Sequence, residues 1–273
     1  MDIYDSHIHS INSFDGKQSV EEICRTALEK KLSGVTVSDH ADLLALIPEK
    51  TMERMPRSIK TIDEAARKYD GKLRVFRGVE MSEYHNDTEN AKKILALTDY
   101  DVILGSVHYI GFNGSLTSYS HIDFGSQMPI DDVYDLLKEY LAQVSYVLDD
   151  PFFDVFCHLT CPLRYMNGEY GRGIDIMRFE SDIVSILKKM IERRIALEVN
   201  TSGIGTPLNE LMPDRRILKL YRELGGKLLT LGSDAHTSDR IGGAFYEAAE
   251  VLRKIGFGGY YYFDQRRAKL VPF

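Results

Sequence analysis

Short apolar runs alternate with longer amphipathic ones along the chain. Residues 3–6, 34–38, 73–80, 102–107, 153–156, 195–199 and 228–231 are rich in Val, Ile, Leu or Phe with little polar alternation. That is the pattern of strands covered on both faces. Between them the period lengthens. Ser19-Val20-Glu21-Glu22 reads as a capping box and marks a helix start. Phe179, Ile183, Leu187 and Ile191 recur every four residues, the apolar stripe of a helix. Further helices are expected at 55–69, 88–97, 130–149, 214–224 and 241–255, and a late strand at 258–263. Strand-then-helix units in succession predict parallel strands joined by right-handed crossovers. No linker composition or fixed-period repeat divides the chain. The expectation is therefore one α/β domain over residues 1–273, built as a barrel, with a doubly wound open sheet as the structural alternative.

Composition narrows the function classes. The 273 residues are 44% hydrophobic and 27% charged, which supports a large core and excludes a disordered chain. With 34 Lys+Arg against 41 Asp+Glu, the net charge is −7, which argues against a mainly electrostatic grip on nucleic acid or an anionic membrane. A small anionic substrate stays compatible, because bound cations can invert the local field. The first residues, Met1 to His7, lack the basic and apolar regions of a secretory leader. No apolar run approaches the roughly 18 residues of a membrane span. The three cysteines (Cys24, Cys157 and Cys161) form no disulfide framework, so a reducing cytoplasm is expected. Cys157 and Cys161 bracket His158, but a zinc site of that type needs a second pair, and apolar packing is the reading adopted. No basic residues interleave with the aromatics of 258–263, so a core-covering strand is preferred there to a base-stacking platform.

The histidines change the picture most. Of eight, six (His7, His9, His40, His108, His158 and His236) fall at or just after the C-terminal ends of expected strands. In a parallel α/β barrel that end carries the sites. Carboxylates share these positions: Asp39 beside His40, Glu80 closing its strand, Asp234 two residues before His236, and Asp15 in the first loop. Imidazole and carboxylate are natural ligands for zinc, iron and manganese. His7 and His9, two apart in extended chain, emerge on one side and can clamp one ion. Glu80 can bridge two ions, and Asp234 with His236 repeats the alternate spacing. Singly, each has an ordinary explanation: chance for His-x-His, a loop ion pair for Asp39-His40, a helix cap for Glu80, satisfied core histidines for His108 and His158, turn chemistry for Asp234-x-His236. Jointly, on one end of one sheet, they point to a metal centre. His85 and His121 fall off the pattern and are read as surface or rim residues.

Asp5-Ser6-His7-Ile8-His9, Ser38-Asp39-His40, Gly78-Val79-Glu80, Gly105-Ser106-Val107-His108 and Cys157-His158-Leu159 follow in order along the chain, completed by Leu197 to Gly203 and Leu231 to His236. In this set the sequence resembles the PHP (polymerase and histidinol phosphatase) family of metal-dependent hydrolases, and within it the histidinol-phosphate phosphatases. The resemblance implies a distorted (β/α)7 TIM-like barrel with three divalent ions at the C-terminal ends of the strands. One ion would be held by His7, His9, Glu80 and Asp234, a second by Glu80, His108 and His158, and a third by Asp15, His40 and His236. The implied reaction is hydrolysis of a small phosphomonoester, histidinol phosphate first among them, by metal-bridging hydroxide, with Glu80, Asp234 and His236 in catalytic roles and Asp234, or a metal-bound water, handling the proton. Arg164 and Arg172 are the candidates to bind phosphate. The chain departs from its relatives after Asn200-Thr201-Ser202-Gly203, where Ile204-Gly205-Thr206-Pro207 replaces basic residues, and after His158, where Thr160 and Cys161 stand in place of an acidic residue. Another phosphorylated metabolite is thus an alternative substrate. Phosphodiester or nucleotide hydrolysis is a further alternative, against which the acidic balance counts. A metal-stabilised scaffold without catalysis is the third, against which the full ligand set counts.

Overall fold

The computed structural model describes residues 2–44 and 48–273. Every expected strand forms: β1 (Tyr4–Ile8), β2 (Gly34–Val37), β4 (Arg74–Ser82), β5 (Val102–Ser106), β8 (Val155–Phe156), β9 (Ala196–Asn200) and β10 (Leu229–Gly232). The late strand is β11 (Gly259–Asp264), which pairs antiparallel with β12 (Arg267–Pro272). Besides β12, three short strands escaped the apolar pattern. They are β3 (His40–Asp42), too brief and polar to register, and the hairpin β6 (Tyr109–Phe112) and β7 (Ser115–Ser118). The hairpin turns on Asn113 and Gly114, both at positive φ, as an Asn-Gly loop between paired strands requires.

The helices are α1 (Val20–Glu29), α2 (Pro48–Lys68), α3 (Thr88–Leu95), α4 (Ile130–Val147), α5 (Glu180–Arg193), α6 (Arg215–Glu223) and α7 (Phe245–Ile255). The capping box of α1 closes both ways: Glu22 N donates to Ser19 Oγ at 3.2 Å, and Ser19 N donates to Glu22 Oε2 at 2.7 Å. Ile183 and Leu187 of the α5 stripe are buried, as the four-residue period requires. Among the described residues no helix is long and apolar enough to cross a membrane.

Ten strands form one mostly parallel sheet in the order β1-β2-β4-β5-β8-β9-β10-β11-β12, with β3 added beside β4. The expected closed barrel is not formed as a continuous ladder. The free edge of β10 pairs with β11 at Thr230↔Tyr261, so β1 is met only beyond the strand, at the isolated parallel bridge Ile8↔Ala235. There Asp234 N donates to His7 O at 2.8 Å and His9 N donates to Ala235 O at 3.0 Å. That bridge brings the chain's first and last metal-type motifs side by side.

One apolar cluster runs from Ile3 to Val271 and joins helices to sheet. A smaller layer of Val102, Leu104, Val155, Cys157, Ala196 and Phe263 lies apart from it. The register explains what sits on that layer. Glu80 lies opposite Leu104, Leu104 opposite Val155, and Val155 opposite Ala196. Side chains two apart share a face, so Cys157 and Glu198 stand beside Glu80, one step toward the C-terminal ends. The apolar layer forms the floor and the polar residues stand at its rim.

Candidate metal centre

Of the residues expected at strand ends, His7, His9, His40, His108 and His158 gather round Glu80, and Asp234, His236 and Asp15 stand beside His9 and His40. β1 delivers His7 and His9 to one side, with their Nε2 atoms 2.9 Å apart. β3 pairs His40 directly opposite Glu80 of β4. His108 follows β5, His158 follows β8, and the Ile8–Ala235 bridge sets Asp234 and His236 beside β1. The loop carrying Asp15 doubles back so tightly that a Cβ on Gly16 would lie 2.0 Å from Ser10 O. Two of the converging residues, His158 (φ 32) and Asp234 (φ 51), hold left-handed backbone, a strain of about 1–3 kcal/mol each that the packing must enforce.

Glu80 Oε1 lies 2.9 Å from His158 Nε2 and 3.1 Å from His108 Nε2. Glu80 Oε2 lies 3.0 Å from His40 Nδ1 and 3.4 Å from the Nε2 atoms of His7 and His9. Asp234 Oδ1 is 3.3 Å from His9 Nε2 and 3.7 Å from His236 Nδ1, and Asp15 Oδ2 is 3.0 Å from His236 Nε2 and 3.7 Å from His40 Nε2. Glu80, His7 and His9 are fully buried.

The proton positions decide what this arrangement accepts. His7 Nδ1 donates to Glu198 Oε1 at 2.7 Å, since a carboxylate only accepts. His9 Nδ1 donates to Ser13 Oγ at 3.2 Å, whose own proton goes to Asp39 Oδ1 at 3.0 Å. His236 Nδ1 donates to Asp234 O at 2.9 Å. In each ring the Nε2 lone pair is left facing another lone pair: His7 faces His9, and His236 faces Asp15. Glu80 Oε2, buried among three ring nitrogens, has no hydrogen-bond partner. Such a set needs positive charge between its members, as protons on the rings or as metal ions, and its donor types fit divalent metal ions. Ligand atoms of His7, His9 and Glu80, of His9, His40 and His236, and of His40, Glu80 and His108 lie within 4.8 Å of one another in each trio.

Without bound ions the carboxylates draw protons onto the neighbouring rings. Burial opposes the charge, but Glu198 and Glu80 hold His7, and Glu80 and Asp42 hold His40 and His108, above the ordinary imidazole range, so these rings carry the positive charge that metal ions would otherwise supply. Burial pushes the His9 ring down to about 3, helped by His40 and His236, so it is a neutral donor. Burial opposes ionisation of Glu80, but His40, His108 and His7 outweigh it and hold the carboxyl well below its ordinary range. Asp234 behaves likewise, its burial outweighed by His9, His7, His236 and Arg164.

The residues behind the cluster were not legible as site residues in the sequence. Glu198 accepts from His7 on one oxygen and from His158 N (2.7 Å) and Asn200 Nδ2 (3.0 Å) on the other. Gly232 is needed beside it, because a Cβ there would stand 2.1 Å from Glu198 Oε1. Asp42 Oδ1 sits 3.6 Å from His108 Nδ1, and Glu83 Oε1 accepts from His108 N at 2.5 Å. Asp39 is drawn away from the cluster by Ser10 N (2.6 Å), Ser13 Oγ and Ser58 Oγ (2.5 Å), and so fixes the first loop. Asp5, pushed up to about 6 by burial despite accepting from Ser233, Gly242 and His7 backbone, ties β1 to the segment after β10.

A pocket of about 140 Å³ opens above the cluster. Phe14, Tyr109, Tyr119 and Tyr165 supply aromatic walls, and Arg164 supplies a cation. Arg164 Nη2 lies 3.3 Å from Asp234 Oδ2 and also contacts Ser202 Oγ. Arg172 is different. Its guanidinium donates to the carbonyls of Phe124, Gly125 and Met128 and does not line this pocket, so its place is structural rather than at the substrate. Arg240, which the sequence did not single out, donates to Ser202 O at 2.9 Å and Ile204 O at 2.8 Å, holding the uncharged 204–207 segment. His121 is exposed and His85 packs edge-on against Tyr84 and Tyr146, off the cluster as expected.

Comparison with known proteins agrees with the geometry. A protein from Deinococcus radiodurans named "Probable histidinol-phosphatase" is 27% identical over 256 residues, covering 92% of this chain and 93% of that one. One of the same name from Clostridium acetobutylicum is 29% identical over 251 residues, covering 91% and 92%. The fold matches the crystal structure of histidinol phosphate phosphatase from Lactococcus lactis, complexed with zinc, L-histidinol and phosphate, at a TM-score of 0.80 and 21% identity over 98% of both chains. Residues 5–202 match the PHP domain, and the chain belongs to that family.

Proposed function

We propose that this protein is a metal-dependent phosphoric monoester hydrolase acting on histidinol phosphate. The observation that carries the reading is the set of Nε2 lone pairs and carboxylate oxygens converging on Glu80 beneath a pocket with one guanidinium. The relatives' names supply the substrate. The protein fits three ions: one among His7, His9, Glu80 and Asp234, one among Glu80, His108 and His158, and one among Asp15, His40 and His236. When bound, divalent ions of the zinc, iron or manganese type supply Lewis acidity toward a phosphoryl oxygen and lower the pKa of water.

The remaining work falls to side chains. Arg164, at the pocket wall, is placed to hold a phosphoryl oxygen. Asp234 accepts a proton at Oδ2 or holds Arg164, and His236, with Nδ1 fixed on Asp234 O, keeps its Nε2 toward Asp15. The aromatic walls leave room for a flat head group and limit bulk water. The ring of β1, β2, β4, β5, β8, β9 and β10, joined at Ile8↔Ala235, supports a reading as a distorted seven-stranded barrel. The apolar cluster from Ile3 to Val271 supports one domain over 1–273. Three buried, unpaired cysteines fit a reducing cytoplasm.

The test is phosphate release from histidinol phosphate, against other phosphorylated metabolites and a phosphodiester, before and after chelation. The expected result is preferred turnover of histidinol phosphate, lost on chelation and restored by divalent metal. Activity that survives exhaustive chelation would overturn the metal mechanism, and a better substrate in the panel would overturn the substrate.

A further inference from the structure

Cys157 follows β8 directly, and its backbone extends the pairing through a bond from its N–H to Gly105 O at 3.0 Å. Its carbon atoms complete the apolar layer with Val102, Leu104, Val155, Ala196 and Phe263, as expected for a small hydrophobe. The sulfur does something else. Sγ lies 3.5 Å from Glu80 Oε1, the oxygen that also faces His158 Nε2 at 2.9 Å and His108 Nε2 at 3.1 Å. Sγ and one ring nitrogen each of His7 and His158 lie within 4.8 Å of one another, and all three residues are buried. The other oxygen of Glu80 has no hydrogen-bond partner in the same enclosed space. Among the described residues Sγ makes one further hydrogen-bond contact, with Gly105 O at 3.2 Å. Packing alone would be met by Ala or Val at this position and does not account for a sulfur aimed at a carboxylate ligand.

We infer that Cys157 is a thiolate ligand of the metal centre, sharing an ion with Glu80 and His158. The inference rests on the metal reading of the site given above. Ligation replaces the S–H bond by a sulfur–metal bond, and the thiol proton leaves to solvent. A soft thiolate among imidazoles and a carboxylate favours zinc or another thiophilic ion over manganese, which prefers oxygen. The cysteine thereby sets which metal the centre prefers.

The full-length protein, stripped by chelation and loaded with cobalt(II), tests this by absorption spectroscopy. Expected are visible d–d bands together with a near-ultraviolet sulfur-to-cobalt charge-transfer band. The double variant Cys24→Ser/Cys161→Ser keeps that band, and Cys157→Ser loses it while retaining the visible bands. Visible bands without charge transfer in the wild type sink the cysteine assignment and leave the metal centre standing, as does a band that persists in Cys157→Ser. A protein that takes up no cobalt overturns both. Should Cys157→Ser fail to fold, Cys157→Ala replaces it, and the wild-type spectrum already decides.

Discussion

Glu198→Gln isolates the role of a residue that touches no substrate. In the wild type, Glu198 accepts from His7 Nδ1 at 2.7 Å on one oxygen and from His158 N and Asn200 Nδ2 on the other. The amide keeps the shape but only one acceptor. With its oxygen retained by His158 and Asn200, its NH2 faces His7 Nδ1, which must then accept, and the ring proton moves to Nε2, where the metal lone pair belongs. Outer partners of metal-bound histidines are worth about 10–100-fold in affinity, or about 1.4–2.7 kcal/mol. We expect that loss of affinity in a competition titration against a chromophoric zinc chelator. Folding should suffer little, because no buried donor loses its acceptor. Glu198→Ala differs: three buried donors lose their acceptor at about 1–3 kcal/mol each. Even at the low end this totals about 3 kcal/mol, or about 6–12 °C in Tm for a chain of this size. Zinc affinity in Glu198→Gln equal to wild type would refute the argument, as would an equal Tm loss in both variants.

Four further outcomes follow from the geometry. Glu80→Ala should cut phosphatase activity by orders of magnitude and metal stoichiometry with it, while circular dichroism stays native. Arg164→Ala should raise KM for a phosphomonoester more than tenfold if the guanidinium holds phosphate, and an unchanged KM removes it from that role. Arg172→Ala should instead lower Tm, since three carbonyls lose a charged donor at about 1–3 kcal/mol in all, with KM unchanged. Glu83 gives a pH signature. Burial pushes its carboxyl from 4.5 up to about 7. The folded state therefore holds the proton more tightly than the unfolded one, so this group's contribution is complete below pH 4.5 and is lost as pH rises toward 7, by about 3 kcal/mol. Urea midpoints of chelated wild type and Glu83→Gln should diverge over that window, the wild type falling, and a constant difference would refute the shift.

The apolar and amphipathic periods located all seven expected parallel strands and the helices between them, because burial on both faces and capping are local signals. The ligand types at strand ends were equally visible: His7 and His9 by alternation, Glu80 by its position closing the expected strand 73–80, although β4 runs on to Ser82. What the pattern missed was short or polar. β3 hides because His40 and Asp42 make up most of it, although its pairing places His40 opposite Glu80. The Asn113-Gly114 turn was a signal for the hairpin that apolar density did not weigh. Arg164 and Arg172 look alike in the sequence, and only their surroundings separate a pocket wall from a clamp on backbone carbonyls.

By itself, then, the sequence determined the layered α/β architecture, the donor chemistry and the family. It could not determine the sheet's closure, since β10 has two edges and only the packing decides that β11 takes one and leaves a single bridge to β1. Nor could it determine which nitrogen of each histidine faces inward. That depends on acceptors far along the chain, such as Glu198, 191 residues from His7, brought within 2.7 Å by the register of the sheet. Periodicity and caps act over a few residues, whereas the proton on an imidazole is placed by whatever neighbour the fold delivers.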